Sequence, residues 1–296
     1  MNFSEQLKKK KLEFESFLPQ FLLKGNGILG RAIRYAVSAG GKRLRPILVL
    51  EAAKIFALPI KKALPAACAI EFIHTYSLIH DDLPSMDNDD LRRGKPTLHK
   101  KFNEATAILA GDALLTDAFG LLASCAKNLP AERVTKAIEV LSYASGSNGM
   151  VLGQLKDTLE TGAWNKKNNA VLKTHLELIH KNKTAALLAA SLVVGATLAG
   201  ADQKQISSLN NYGYKIGFAF QITDDVLDVV ANKKLLGKSG SDAKNNKLTF
   251  VTLYGVDKSI LEAKKIVAQV KAEVSKLGSK ADFLMALADY VVDRKY

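Results

Sequence analysis

Asp81, Asp82 and Asp87 place three carboxylates within seven residues, directly behind the helix-compatible run Ala66–Ile73. The chain repeats the device at Asp224, Asp225 and Asp228, behind Ile216–Phe220. Like charges so close repel, and a cation has to offset them. Hard oxygen ligands suit Mg²⁺, which takes one or two protein carboxylates and completes its octahedron with water and phosphate. The pattern therefore points to a metal-held phosphate ester or diphosphate. One such cluster reads equally well as a helix cap or a solvated face. Two of them, each behind an apolar run, favour the site.

Spacing refines the reading. At about 100° per residue, Asp224 and Asp228 lie about 40° apart on a helix, with Asp225 on one flank. Pro84 ends or kinks the first helix, so Asp87 need not follow helical phase and a loop can return it. His74 is seven residues before Asp81, on the same face and about 10 Å away. Taken by itself, His74 reads as a core histidine.

Basic segments accompany the carboxylates: Gly40–Pro46 (GGKRLRP), Arg92–Thr97 (RRGKPT), His180–Thr184 (HKNKT), Lys238 and Lys247. Arginine forks match phosphate oxygens in pairs. Gly40-Gly41 frees the backbone before a basic turn. Lys8–Lys11 reads as a solvated face.

Helical periodicity runs almost throughout, with breaks near 25–30, 40–46, 84–96, 128–130, 162–168, 200–202, 232–246 and 278–279, and with no convincing alternating strand. Gly146, Gly149 and Gly153 fall in one helical stretch and suggest a close contact or kink. The expectation is a single all-α domain over residues 1–296, about ten helices around a central cavity. Ala185–Ala201 carries no charge over seventeen residues. It is short for a membrane span and lacks an aromatic belt, so a buried helix is expected, with no other candidate span and no integral membrane segment. Cys68 and Cys125 have no metal or redox spacing, and Met1–Leu7 lacks a signal-peptide core, so a cytoplasmic protein is expected. The net charge of +13 admits nucleic acid. The basic residues are dispersed, however, and paired aspartates repel a phosphate backbone, so no nucleic-acid partner is expected.

The ordered motifs resemble the short-chain trans-prenyl diphosphate synthases, most closely the bacterial farnesyl diphosphate synthases. They are GGKRLRP at 40–46, EFIHTYSLIHDDLPSMDNDDLRRGKPT at 71–97, AGDALLT at 110–116, GQLKD at 153–157, HKNKT at 180–184, GFAFQITDDVLDV at 217–229, LGK at 236–238 and NNKLTF at 245–250. The resemblance implies the isoprenoid synthase fold, an antiparallel bundle with the aspartate motifs facing each other across its mouth, and a homodimer. It implies head-to-tail condensation of isopentenyl diphosphate with dimethylallyl and then geranyl diphosphate, with about three Mg²⁺ per active site.

It also implies roles. Asp81, Asp82, Asp87, Asp224 and Asp228 hold Mg²⁺, with Asp225 in support. Arg92, Lys183, Lys238 and Lys247 contact the allylic diphosphate. Lys42, Arg45, His74 and Arg93 hold isopentenyl diphosphate. Thr184 and Gln221 face the allylic carbon beside Lys183. Tyr76, with Ser77 next to it, limits the product to fifteen carbons. The chain departs from the family pattern at Asn182, Ala185, Phe218 and Val251, none of which removes a charge. A terpene cyclase would not need Lys42, Arg45, His74 and Arg93. A non-catalytic subunit or basic binding protein would not need both aspartate motifs.

Overall fold

Leu, Ala and Lys-rich segments with apolar positions at helical spacing fold as helices. The computed structural model describes residues 2–22, 25–160, 168–236 and 248–294, and it is all-α. Among the described residues the exception is an antiparallel hairpin of two-residue strands, Leu91–Arg92 and Lys95–Pro96. Strands that short carry no alternation for a sequence reading to detect. The contacts gather into two compact units. One comprises residues up to Val140 with Val193–Ala201; the other comprises Leu141–Leu192 with residues from Asp202 onward.

In the first unit, α1 (Phe3–Phe17) starts from a capping box in which Asn2 and Glu5 bond each other's amides. Helices α2 (Ile28–Val37) and α3 (Leu44–Ile55) precede α4 (Ile60–Asp81). Ala63, Ala66, Ala67, Cys68, Ala69, Ile70, Phe72 and Ile73 bury α4 on every side. A helix apolar all round belongs in a core. The short α5 (Leu98–Lys101) leads into α6 (Glu104–Ser124), which packs along α4. A turn at Ala57, with φ of 61°, separates α3 from α4 without any glycine to announce it.

Helices α7 (Ala131–Ser145) and α10 (Ala186–Ala199) contribute residues to both units. The second unit adds α8 (Met150–Glu160), α9 (Asn169–Ile179), α11 (Gln203–Leu236), α12 (Phe250–Tyr254), α13 (Val256–Val274) and α14 (Asp282–Asp293). Helix α11 continues past the expected break at 232 as far as Leu236. The run 146–149 is a turn between α7 and α8, so the three glycines do not share one helix. α10 is buried along almost its whole length, as its lack of charge suggested. Glu104–Lys127 is a second segment long and apolar enough to cross a membrane by length and composition. Asp112 and Asp117 interrupt it, so a search for charge-free runs passes over it.

Helix α11 packs on α13 and α14, and its Tyr212 is wholly buried. The Tyr212 hydroxyl donates to the Leu284 carbonyl at 2.6 Å, fixing α14 on α11. Tyr212→Phe should cost about 1 kcal/mol, the net worth of one hydrogen bond. Tyr212→Ala should cost about 3–5 kcal/mol through the cavity it leaves. Urea unfolding of both variants measures the difference; equal losses would contradict this ranking.

Candidate functional site

Pro84 forbids helix beyond Leu83, and α4 ends with Asp81 as its last residue and Asp82 as its cap. The chain then turns back. The Asp87 amide donates to the Asp81 carbonyl at 2.8 Å, and that of Asn88 to Leu83 at 3.1 Å. Asp87 is thus returned to the helix end, out of helical phase. Asp81 and Asp82 are buried, and Asp87 is exposed. Arg92 grips Asp82: Nε reaches the two carboxylate oxygens at 2.7 and 2.9 Å, and Nη2 reaches Oδ1 at 2.5 Å. Burial pushes the Asp82 carboxyl above its usual range while the Arg92 fork pulls it back.

The hairpin presents this arginine. Arg93 and Gly94 have φ of 54° and 74°, the left-handed pair of a type I′ turn. Thr97 closes the base, its hydroxyl donating to Asp89 and its amide to Asp90. Arg93 donates to the Gly40 carbonyl, so the RRGKPT hairpin docks on the GGKRLRP loop. In that loop Gly40 and Gly41 take φ of 85° and 119°, as the glycine pair suggested. Arg43, buried and itself left-handed, bonds Glu71, Glu15 and the Val37 carbonyl. This anchor leaves Lys42 exposed and turns Arg45 toward α4. Arg45 Nη1 lies 3.4 Å from His74 Nε2. Burial, reinforced by Arg45, Arg93, Arg43 and Arg92, holds the His74 imidazole well below its usual range. A neutral ring beside Arg45, on the loop where Arg93 docks, suits an anion. On the same helix, Ser77 donates to the His74 carbonyl, and Tyr76 lies buried with its ring nearly perpendicular to that of His80.

The second unit carries the other cluster on α11. Asp225 is buried and acts inward, accepting the Phe250 amide at 2.9 Å and the Gln221 amide group at 3.1 Å. Gln221 Oε1 accepts from Thr184 Oγ1 at 2.9 Å. The structure therefore joins Thr184, Gln221 and Asp225 in one chain of hydrogen bonds. Asp224 faces Arg294, whose Nη2 is 2.8 Å from its Oδ1. Asp228 stands partly exposed one turn further along. Lys183 pairs with Asp157 at 2.5 Å.

Lys183 and Thr184 lie in a turn of π-helix, His180–Ala185. Such turns recur at functional sites. A methyl group at Gly153 would sit 2.1 Å from the Lys183 amide nitrogen, so this glycine lets α8 approach the π-turn. Asp157, Lys183, Thr184, Gln221, Asp225 and Thr249 line the cleft that results. Behind it, His180 stacks on Phe250 and meets the edge of Phe218, with ring centroids 5.9 and 5.6 Å away. Phe218, one of the departures from the family pattern, is part of this aromatic core.

Lys238 and Lys247 lie outside the described residues. Asp157, Arg294, Arg43 and His180 had no role in the sequence reading. GQLKD pointed at Asp157, and nothing in the chain pointed at Arg294. The donor set fits Mg²⁺. Both clusters offer carboxylate oxygens, the hard donors Mg²⁺ takes one or two of beside water and phosphate.

The polyprenyl synthetase family profile matches residues 26–286. The chain is 44% identical over 295 residues to the geranylgeranyl diphosphate synthase of Cyanophora paradoxa, covering 99% of this chain and 97% of that protein. It is 41% identical over 270 residues to the farnesyl diphosphate synthase of Bacillus subtilis, covering 90% and 89%. The crystal structure of an FPP/GFPP synthase from Zymomonas mobilis superposes with a TM-score of 0.85 at 35% identity, covering 98% of each chain.

Burial holds the His180 imidazole down at about 3, from the usual 6.5. Below pH 6.5 the unfolded chain binds a proton there that the folded chain refuses. The stability this histidine contributes is present above pH 6.5 and is lost as pH falls toward 3. The slope is about 1.4 kcal/mol per pH unit for one such proton. Urea unfolding between pH 7 and pH 5 should show His180→Gln losing stability less steeply than the parent. Equal slopes would contradict the burial of a neutral ring.

Proposed function

The chain belongs to the polyprenyl synthetase family and lengthens prenyl chains, and we propose that it is a Mg²⁺-dependent farnesyl diphosphate synthase. It condenses isopentenyl diphosphate with dimethylallyl diphosphate and then with geranyl diphosphate, giving (2E,6E)-farnesyl diphosphate. One observation supports a condensation above all: the neutral His74 beside Arg45, with Arg93 docked on the same GGKRLRP loop, in addition to the cleft at Lys183, Thr184 and Gln221. Two diphosphates need two cationic stations, whereas a cyclase needs one.

In this reading Lys42, Arg45, His74 and Arg93 bind the isopentenyl diphosphate. Arg92, Lys183, Lys238 and Lys247 bind the allylic diphosphate. Asp81, Asp82, Asp87, Asp224 and Asp228 would hold Mg²⁺, and Asp225 supports them through Gln221 and the Phe250 amide. Bound Mg²⁺ supplies charge neutralisation of the leaving diphosphate. Thr184 Oγ1 and Gln221 Oε1 turn oxygen dipoles to the allylic carbon as its C1–O bond breaks and positive charge develops. The double bond of isopentenyl diphosphate attacks that carbon through its C4. A proton then leaves C2, and the released diphosphate takes it, so no side-chain base is required.

Product length divides the named relatives, one a geranylgeranyl and one a farnesyl synthase. Tyr76 favours the shorter product here: it is a buried ring on the helix that leads up to Asp81. Close-packed aromatic walls do not yield cheaply. Ile108 and Leu109 stand exposed on α6, at 43% and 59%, and support a homodimer. Light scattering should return twice the 32.1 kDa chain mass; the single mass would contradict the dimer. The two cysteines are unpaired and buried, which fits a reducing cytoplasm.

Asp81→Asn and Asp224→Asn should each lower turnover of labelled isopentenyl diphosphate with geranyl diphosphate by orders of magnitude, with urea unfolding as the check on folding. A folded variant turning over at the parent rate would remove that carboxylate from the site.

A further inference from the structure

His80 lies between α4 and α6 in an arrangement that the roles assigned so far leave unexplained. It is four residues after Tyr76, so the two side chains share one face of α4. Their rings meet edge to face, with centroids 5.7 Å apart and planes at 77°. On its other side, His80 Nε2 donates to the Ile108 carbonyl of α6 at 3.1 Å. The same atom is 3.9 Å from an Asp112 carboxylate oxygen. Gly111 makes this seat. A methyl group there would come within 2.1 Å of Nε2 and 2.6 Å of Cδ2, so any side chain would expel the imidazole. The His80 ring therefore rests on α6 and packs against the ring of Tyr76.

We infer that His80, seated on Gly111 and the Ile108 carbonyl, is a positioning residue for product length, because it holds the Tyr76 ring across the path of the growing chain. The inference rests on the reading of Tyr76 as the limit to a fifteen-carbon product. A buried aromatic ring stays in one rotamer only while its neighbours leave no other space. Without the His80 ring, Tyr76 gains room to swing toward α6, and the wall opens. Tyr76 thus supplies the obstacle, and the pair on α4 and α6 keeps it in place.

Product analysis under excess isopentenyl diphosphate tests this, with geranyl diphosphate as primer and the ratio of twenty- to fifteen-carbon diphosphates as the readout. Tyr76→Ala serves as the reference for an open wall. His80→Ala and Gly111→Ala should both shift the product from farnesyl toward geranylgeranyl diphosphate. His80→Phe, which keeps a ring edge against Tyr76, should restore the fifteen-carbon product. A general loss of rate lowers this ratio, so a rise is not explained by damage to the active site, and Gly111→Ala lies on a different helix from Asp81. His80→Gln, which keeps a donor for Ile108 without a ring, should lengthen the product as His80→Ala does and serves where that variant fails to fold. If the His80 and Gly111 variants keep the parent ratio while Tyr76→Ala lengthens the product, the positioning role is wrong and the reading of Tyr76 stands. If Tyr76→Ala also stops at fifteen carbons, the limit lies elsewhere and both fall.

Discussion

Carboxylate repulsion, offset within each unit by an arginine, is the constraint on which the rest of the structure depends. Asp82 is gripped by Arg92, and Asp224 by Arg294. Neither arginine depends on its carboxylate alone. The hairpin sets the position of Arg92. Arg294 donates to the Phe220 and Val291 carbonyls and lies 3.9 Å over the Phe220 ring. The cations are fixed by the fold, and the carboxylates are oriented against them. Groups oriented in advance cost no reorganisation when a substrate binds, which is where most electrostatic catalysis originates. Part of the cation that the clustered carboxylates require is thus supplied by the chain itself.

The same economy governs the neutral groups. His74 and His180 are both held uncharged by burial, one among arginines and one among phenylalanines. A charged His74 would set a cation against Arg45; a neutral one is a polar neighbour that Arg45 tolerates. His180 closes the floor of the second cleft with its ring stack, and its Nε2 comes within 3.7 Å of Asp225. Thr184, Gln221 and Asp225 then pass one chain of hydrogen bonds from the π-turn to the start of α12. Packing and electrostatics are set by the same side chains.

Much of this was legible in the chain. The all-α class followed from periodicity, the return of Asp87 from Pro84, and the buried α10 from its lack of charge. Thr184 and Gln221 were grouped by resemblance, and the structure bonds them directly. Other features left no trace that periodicity can register. A π-turn has the same composition as the α-helix around it. The hairpin strands are two residues long, and the left-handed Ala57 carries no glycine signal. Arg294 is far in sequence from Asp224, and only tertiary packing brings it there. His80 drew no reading of its own, because its partners, Gly111 and the Ile108 carbonyl, belong to another helix.

The central claim is that the chain joins two diphosphate substrates, releasing one diphosphate for each carbon–carbon bond formed. Incubating the protein and Mg²⁺ with labelled isopentenyl diphosphate and dimethylallyl diphosphate, then measuring products and inorganic diphosphate together, tests it directly. The account predicts farnesyl diphosphate as the end product, with isopentenyl diphosphate consumed and diphosphate released one for one. Diphosphate released without consumption of isopentenyl diphosphate, or a hydrocarbon product, would contradict it.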